Sequence, residues 1–206
     1  AKSSTIKLPG AAPFDAAALS KKYPPEIETP DPMVHAEPLT AGAQRYVMVY
    51  NHQDKNVDAS VLIRQPQTTV AYDVFSHAFI KVASQNGASV MKVRLGAYDG
   101  RLLALCPAAL PDIKVEVRDG TCGSDISAQI LAGLPSKNGV VPVEVAVLDP
   151  RGRKTDYGGS FAVTGGRSTY VIASGENEQT GRWTVSAKDL ITGKIASATF
   201  QLTPKQ

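Results

Sequence analysis

The feature that most constrains this chain is a switch to a period of two. From Gln44 onward, apolar residues recur at every second position. Ala59, Val61 and Ile63 alternate with Asp58, Ser60, Leu62 and Arg64. Met91, Val93 and Leu95 alternate with Lys92 and Arg94; Ile113, Val115 and Val117 with Lys114, Glu116 and Arg118; Val143, Val145 and Val147 with Glu144 and Ala146. Successive side chains of a strand point to opposite faces, so this alternation describes antiparallel sheets with one buried and one wet face. Turn signals separate the runs at short intervals: Asn86-Gly87, Asp99-Gly100, Asp119-Gly120, Asn138-Gly139, Asp149-Pro150 and Gly165-Gly166. No long helical pattern appears after residue 40. The expected fold is all-β: two antiparallel, immunoglobulin-like β-sandwich domains in tandem.

Strands are expected near 44–52, 57–64, 68–74, 78–83, 89–95 and 101–106 in a small sandwich spanning 41–108. A second sandwich, 112–204, takes strands near 113–118, 125–131, 141–148, 159–164, 167–173, 181–188 and 196–202. The joint between them, Pro107 to Pro111, is short enough to imply a fixed pose. Tyr46, Met48 and Tyr50 share one face of their strand while Val47 and Val49 share the other. A strand apolar on both faces reads as covered on both sides, by the preceding segment or by the other domain.

Residues 1–40 differ. Seven of the 14 prolines fall here, at 9, 13, 24, 25, 30, 32 and 38. Proline has no backbone donor and a fixed φ, so this stretch reads as an extended arm and cannot be a central strand. Two islands break it. Ser3 to Leu8 suits a short edge strand. Residues 15–22 suit a short helix, with Asp15 as N-cap and Phe14 and Leu19 as a hydrophobic staple. The arm's apolar residues Ile6, Leu8, Phe14, Leu19 and Ile27 want a surface to cover. The Ala1 start is compatible with a removed signal peptide, a trimmed chain or a fragment of a longer protein.

The net charge is +3, and Lys and Arg are scattered among Asp and Glu. Without a basic stripe, nucleic acid is not an expected partner. No apolar stretch reaches the ~20 residues of a membrane-spanning helix. The two cysteines, Cys106 and Cys122, are disulfide candidates whose closed loop would be worth roughly 3 kcal/mol; two separate buried thiols is the equal alternative. Two Cys and the scattered His35, His52 and His77 offer no metal-ligand spacing, so no metal and no cofactor are expected. Catalytic groups are absent as well. There is no Gly-x-Ser-x-Gly elbow and no phosphate loop. The Glu26/Glu28 and Glu176/Glu178 pairs do not read as facing, rigid carboxylates. Trp183 alternates with Val185 and reads as core. Tyr98 and Tyr157 sit in loops and are the glycan candidates.

Two groups of motifs resemble known modules. Thr69–Phe75, Val90–Leu95 and Tyr98–Leu105 resemble the small β-domain that follows the catalytic domain in large secreted bacterial glycosidase-like proteins. Val143–Gly152, Gly181–Val185 and Asp189–Gly193 resemble bacterial immunoglobulin-like modules, with an Asp-Pro-x-Gly hairpin and a Gly-x-Trp-x-Val core strand. The resemblance covers residues 44–204. It implies a non-catalytic accessory or structural module in a secreted or cell-surface bacterial setting, since the family's catalytic residues lie in a domain this chain lacks.

Two functions follow as expectations. The first is an extracellular structural or assembly protein, a filament or surface-layer subunit. It would bind other copies of itself or a neighbouring polypeptide through its arm and sheet edges, because a strand from another chain can complete an open edge. The second is a carbohydrate-binding or spacer module of a larger secreted glycoside hydrolase, with polysaccharide as partner.

Overall fold

A computed structural model describes residues 24–64, 68–133 and 139–205. Every element among them is a strand: β1 Ile27–Glu28, β2 Val34–Ala41, β3 Gln44–Asn51, β4 Val57–Ile63, β5 Val70–Asp73, β6 Ala78–Gln85, β7 Ala88–Leu95, β8 Gly100–Cys106, β9 Lys114–Val117, β10 Gly120–Thr121, β11 Asp125–Leu131, β12 Val140–Leu148, β13 Gly159–Thr164, β14 Arg167–Ala173, β15 Gly181–Asp189 and β16 Ile195–Thr203. All the strands expected from Gln44 onward form, with ends within two residues of expectation. The expected strand 3–8 and helix 15–22 lie outside the described residues.

β1 to β8 make one eight-stranded sheet in the order β1-β4-β7-β6-β5-β8-β3-β2. The sheet folds over at β6, which pairs with β5 through Ala78–Lys81 and with β7 through Val82–Gln85. The β6–β7 hairpin turns on Asn86 (φ 50°) and Gly87 (φ 76°), the double left-handed conformation that makes Asn-Gly the preferred two-residue turn. Inside the fold lie Ile27, Val34, Val47, Val49, Ala59, Val61, Ile63, Met91, Leu95 and Leu103, all buried. The remaining strands form a five-stranded sheet, β10-β16-β15-β12-β13, and a three-stranded sheet, β14-β11-β9. Pairing is antiparallel except where β10 runs parallel to the end of β16.

Residues 24–41 correct the proline-based reading of an arm ending at 40. Ile27 and Glu28 pair with Ile63 and Leu62, and β2 forms a full hairpin with β3. The physical reason is position. β2 is the last strand in the sheet order, so Pro38 occupies an edge strand, where a missing donor disrupts no second ladder. Glu26 and Glu28, read as unheld, form ion pairs with Arg45 and Arg64.

A second core lies between the five- and three-stranded sheets and continues onto the outer face of the eight-stranded one. It joins Ile126, Ile130, Val143, Val145, Trp183, Val185, Phe200 and Leu202 to Tyr72, Ala104, Cys106 and Leu110. The joint segment is therefore part of a core. Leu110 is buried, and its N–H donates to the Tyr72 hydroxyl at 3.1 Å. Tyr46 packs against the same core, and burial, the largest cause, pushes its phenol up to about 12.

Cys106 and Cys122 are both buried and both free. Cys106 accepts from the Gln44 amide at 3.9 Å, and the Cys122 thiol donates to the Glu178 carbonyl at 3.5 Å. Burial pushes the Cys106 thiol up to about 11, so it is almost wholly protonated at neutral pH and a poor nucleophile. The expected result of thiol titration without reductant is two reactive groups per chain in denaturant and slow reaction in the native state. A count of zero in denaturant would show a disulfide.

Candidate functional site

The outer face of the eight-stranded sheet is read row by row from its register. Leu39, Tyr46, Ala104, Tyr72 and Phe79 stand opposite one another on β2, β3, β8, β5 and β6. The middle of this row, Ala104 and Tyr72, is buried under the second core. Its ends protrude: Leu39 is 47% exposed and Phe79 57%. Phe79 meets Tyr72 edge-to-face with ring centroids 5.7 Å apart.

The next two rows run Glu37-Met48-Leu102 and His35-Tyr50-Gly100. Met48, Tyr50 and Leu102 are each half-buried, and they are outward partners of the fully buried Val47, Val49 and Leu103. Gly100 explains how they lie. A Cβ there would come within 3.4 Å of Tyr50 Cδ1 and 3.5 Å of Met48 Cε, so the tyrosine ring and the methionine tip reach across the space a side chain would fill. Leu39, Met48, Tyr50 and Leu102 thus make an apolar strip beside the buried row, left uncovered among the described residues. The sequence reading of β3 as covered on both faces holds for the Tyr46 row, which packs against the second core, while Met48 and Tyr50 are half-buried among the described residues.

At the far end of the strip the loops gather more aromatic groups. Tyr98, between β7 and β8, is 73% exposed. Its N–H donates to the Gln53 carbonyl at 2.9 Å, which ties it beside the end of β3. Asp99 organises this turn by accepting from Gly96 N–H at 3.1 Å and Gly100 N–H at 2.9 Å. The Gly96 bond is the largest cause that holds its carboxyl below the usual range, and Arg101 adds to it. Tyr98 takes φ 53°, a left-handed conformation that costs a residue with a Cβ roughly 1–2 kcal/mol. Exchanging Tyr98 for glycine is therefore expected to leave the fold as stable or up to about 1 kcal/mol more stable in urea unfolding, since relieved strain offsets the extra entropy lost. A loss of stability would mean that the ring contributes to packing.

Tyr157, the other glycan candidate, is placed differently. Its hydroxyl donates to Glu178, its carbonyl accepts from the Tyr170 hydroxyl at 2.6 Å, and its ring lies 6.2 Å from Trp183. The hydrogen bond to Glu178 is the largest cause raising its phenol above the ordinary value. Tyr157 is half-buried and packs against the second core. Of the arm residues, Ile27 is buried in the first core and cannot meet a partner. Ile6, Leu8, Phe14 and Leu19 lie outside the described residues.

The structure also joins groups that the sequence kept apart. His35 on β2 and His52 just after β3 stand with ring centroids 4.8 Å apart, edge to face, and Tyr50 lies 6.4 Å from His52. Among the described residues no group of three or more His, Cys, Asp or Glu side chains is placed to hold a metal, and no helix is long and apolar enough to cross a membrane.

No protein-family model matches the chain, so the resemblance to glycosidase accessory modules gains no family support. No curated protein matches it either. Among solved structures, the chain is similar to the titin domains z1z2 crystallised in complex with telethonin. The identity is 13%, the match covers 87% of this chain and 96% of that one, and the TM-score is 0.31. At that score the likeness carries no argument, and the architecture rests on the strand pairing described above.

Proposed function

We propose that this chain is a non-catalytic structural or assembly protein, and that the strip of Leu39, Met48, Tyr50 and Leu102 is its docking surface. The observation that carries this reading is the strip itself: an apolar sheet face continuous with a buried row, with Leu39 exposed and Met48, Tyr50 and Leu102 half-buried. Exposed apolar area of this kind is unfavourable unless something covers it. The occupant is the N-terminal segment, residues 1–23, of a second copy. Pro24 starts at the margin of the same sheet, because Glu26 is ion-paired with Arg45 of β3 and its carbonyl accepts from Arg64 N–H at 2.9 Å. An extended chain covers ~3.3 Å per residue, so 23 residues easily reach the equivalent strip of a neighbour. Ile6, Leu8, Phe14 and Leu19 supply the apolar contacts. Head-to-tail docking whose rotation does not close builds filaments or layers.

Division into two sandwich units, meeting at residues 107–111, belongs to this reading. So does the extracellular setting that the resemblance implies. On this account Leu102→Glu, an outward and half-buried position, abolishes concentration-dependent association while leaving the unfolding midpoint within about 1 kcal/mol of the parent. Association unchanged by that substitution would rule out the strip as the contact.

A spacer or carbohydrate-binding role is the second reading. The strained, exposed Tyr98 favours it, as strain in a protruding aromatic residue marks a position held for contact. Retardation in polysaccharide gels that disappears with Tyr98→Gly supports this role, and equal mobility in every gel counts against it.

A further inference from the structure

We infer that His35 and His52 form a two-imidazole site for a late first-row divalent cation, Cu2+ above all, with Ni2+ and Zn2+ bound less tightly. Imidazole nitrogen is a preferred ligand for these ions, and Cu2+ stands at the top of their affinity order.

The site is made by the β2–β3 hairpin. His35 is registered opposite Tyr50. The ladder continues past Asn51, as His52 N–H donates to the Met33 carbonyl at 2.9 Å. His35 and His52 are therefore diagonal neighbours on one face of adjacent strands, a spacing at which side chains meet. Their rings meet, with centroids 4.8 Å apart and planes at 69°. Both side chains are exposed, and among the described residues neither imidazole is engaged in a hydrogen bond or ion pair. The exposed rings can turn about their side-chain torsions to bring one nitrogen each to the ligand distances of about 2.0–2.1 Å that such an ion needs.

The backbone under the pair is fixed, which favours chelation over independent binding. Asn51 is buried; its amide donates to the Lys55 carbonyl at 2.8 Å and the Gly96 carbonyl at 2.6 Å, and its oxygen accepts from Gln53 N–H at 3.0 Å. Asp31 ties down the facing turn, accepting from Met33 N–H and from the Gln53 amide, each at 2.9 Å. Two protein ligands leave the remaining coordination positions to water, so the site binds exchangeably and is distinct from a four-ligand structural centre. It does not depend on the docking proposed above.

The test is a titration of the full chain with Cu2+ alone, in a non-coordinating buffer at neutral pH, followed by calorimetry and by electron paramagnetic resonance. The expected result is one saturable site with two nitrogen ligands. His35→Ala and His52→Ala should each raise its Kd roughly tenfold or more, a change of about 1.4 kcal/mol, while His77→Ala leaves it unaltered. Because His35 and His52 are exposed, their substitution should leave the circular dichroism and unfolding midpoint in place. Absence of a saturable site would overturn the inference. So would an unchanged Kd in either single variant, or binding that persists in the doubly substituted chain.

Discussion

Trp183→Ala will destabilise the protein by about 3–5 kcal/mol, the cost usual for truncating a buried large aromatic. Trp183 is only 2% exposed. It stacks on Phe200 with centroids 6.3 Å apart, meets Tyr157 at 6.2 Å, and donates its indole N–H to the Gln179 carbonyl at 2.8 Å. The substitution leaves a cavity and an unpaired carbonyl together. Its position on β15, between β12 and β16, puts that cavity in the middle of the five-stranded sheet, where neighbours anchored on both sides cannot close in. Urea unfolding followed by circular dichroism measures the loss, since this is the chain's one tryptophan. Trp183→Phe should recover part of it. A loss below about 1 kcal/mol would mean that the second core is looser than its packing implies.

Gly193→Ala should cost about 2–4 kcal/mol, for two separable reasons. Gly193 has φ 71°, which an alanine adopts at a cost of roughly 1 kcal/mol. In addition, a Cβ at Gly193 would stand 2.7 Å from two ring carbons of His77 and 2.9 Å from its Cβ. Overpacking of that kind typically costs 1–3 kcal/mol. The turn cannot yield easily. Asp189 is fully buried and accepts from Ile191 N–H at 2.7 Å and the Thr192 hydroxyl at 2.8 Å, while Gly193 N–H donates to the Asp189 carbonyl at 2.8 Å. The clash therefore falls on the contact between the β15–β16 turn and the β5–β6 turn that carries His77. The nearby Lys194–Asp112 ion pair, 2.6 Å long, is solvent-exposed and contributes little to holding it. Combining Gly193→Ala with His77→Ala removes the two ring-carbon clashes and leaves only the 2.9 Å Cβ contact, so the double variant should be more stable than Gly193→Ala alone. Equal losses in the two would show that the ring contributes nothing to the cost.

Much of the fold was legible because its signals are local. Alternation fixed the strands from Gln44 onward, and Asn86-Gly87 marked a hairpin that forms with the backbone its residues favour. The three strands not anticipated have different causes. β1 and β10 are two residues long, too short for any period. β2 carries Pro38, which local rules count against a strand; only the sheet order shows that it is an edge, where the proline does little harm. That one misreading hid two further features. With β2 taken as arm, His35 had no reason to lie beside His52, and Leu39 had no reason to join Met48 and Tyr50. The partners of Tyr157 were not legible for a different reason: tertiary structure brings Glu178 to its hydroxyl and Trp183 to its ring, residues distant in the chain. Trp183 could be placed in the core from its alternation with Val185 alone.

The claim that most needs testing is that the partly exposed strip on β2, β3 and β8 takes the N-terminal segment of another copy. The native mass of the intact chain across a range of concentrations, compared with the same chain lacking residues 1–23, tests it directly. The deletion stops short of Ile27, which the first core needs. Particles larger than one chain that grow with concentration, and that fall to single chains when residues 1–23 are removed, are the expected result. A single-chain mass at every concentration, or assemblies of the same size with and without the segment, would contradict it.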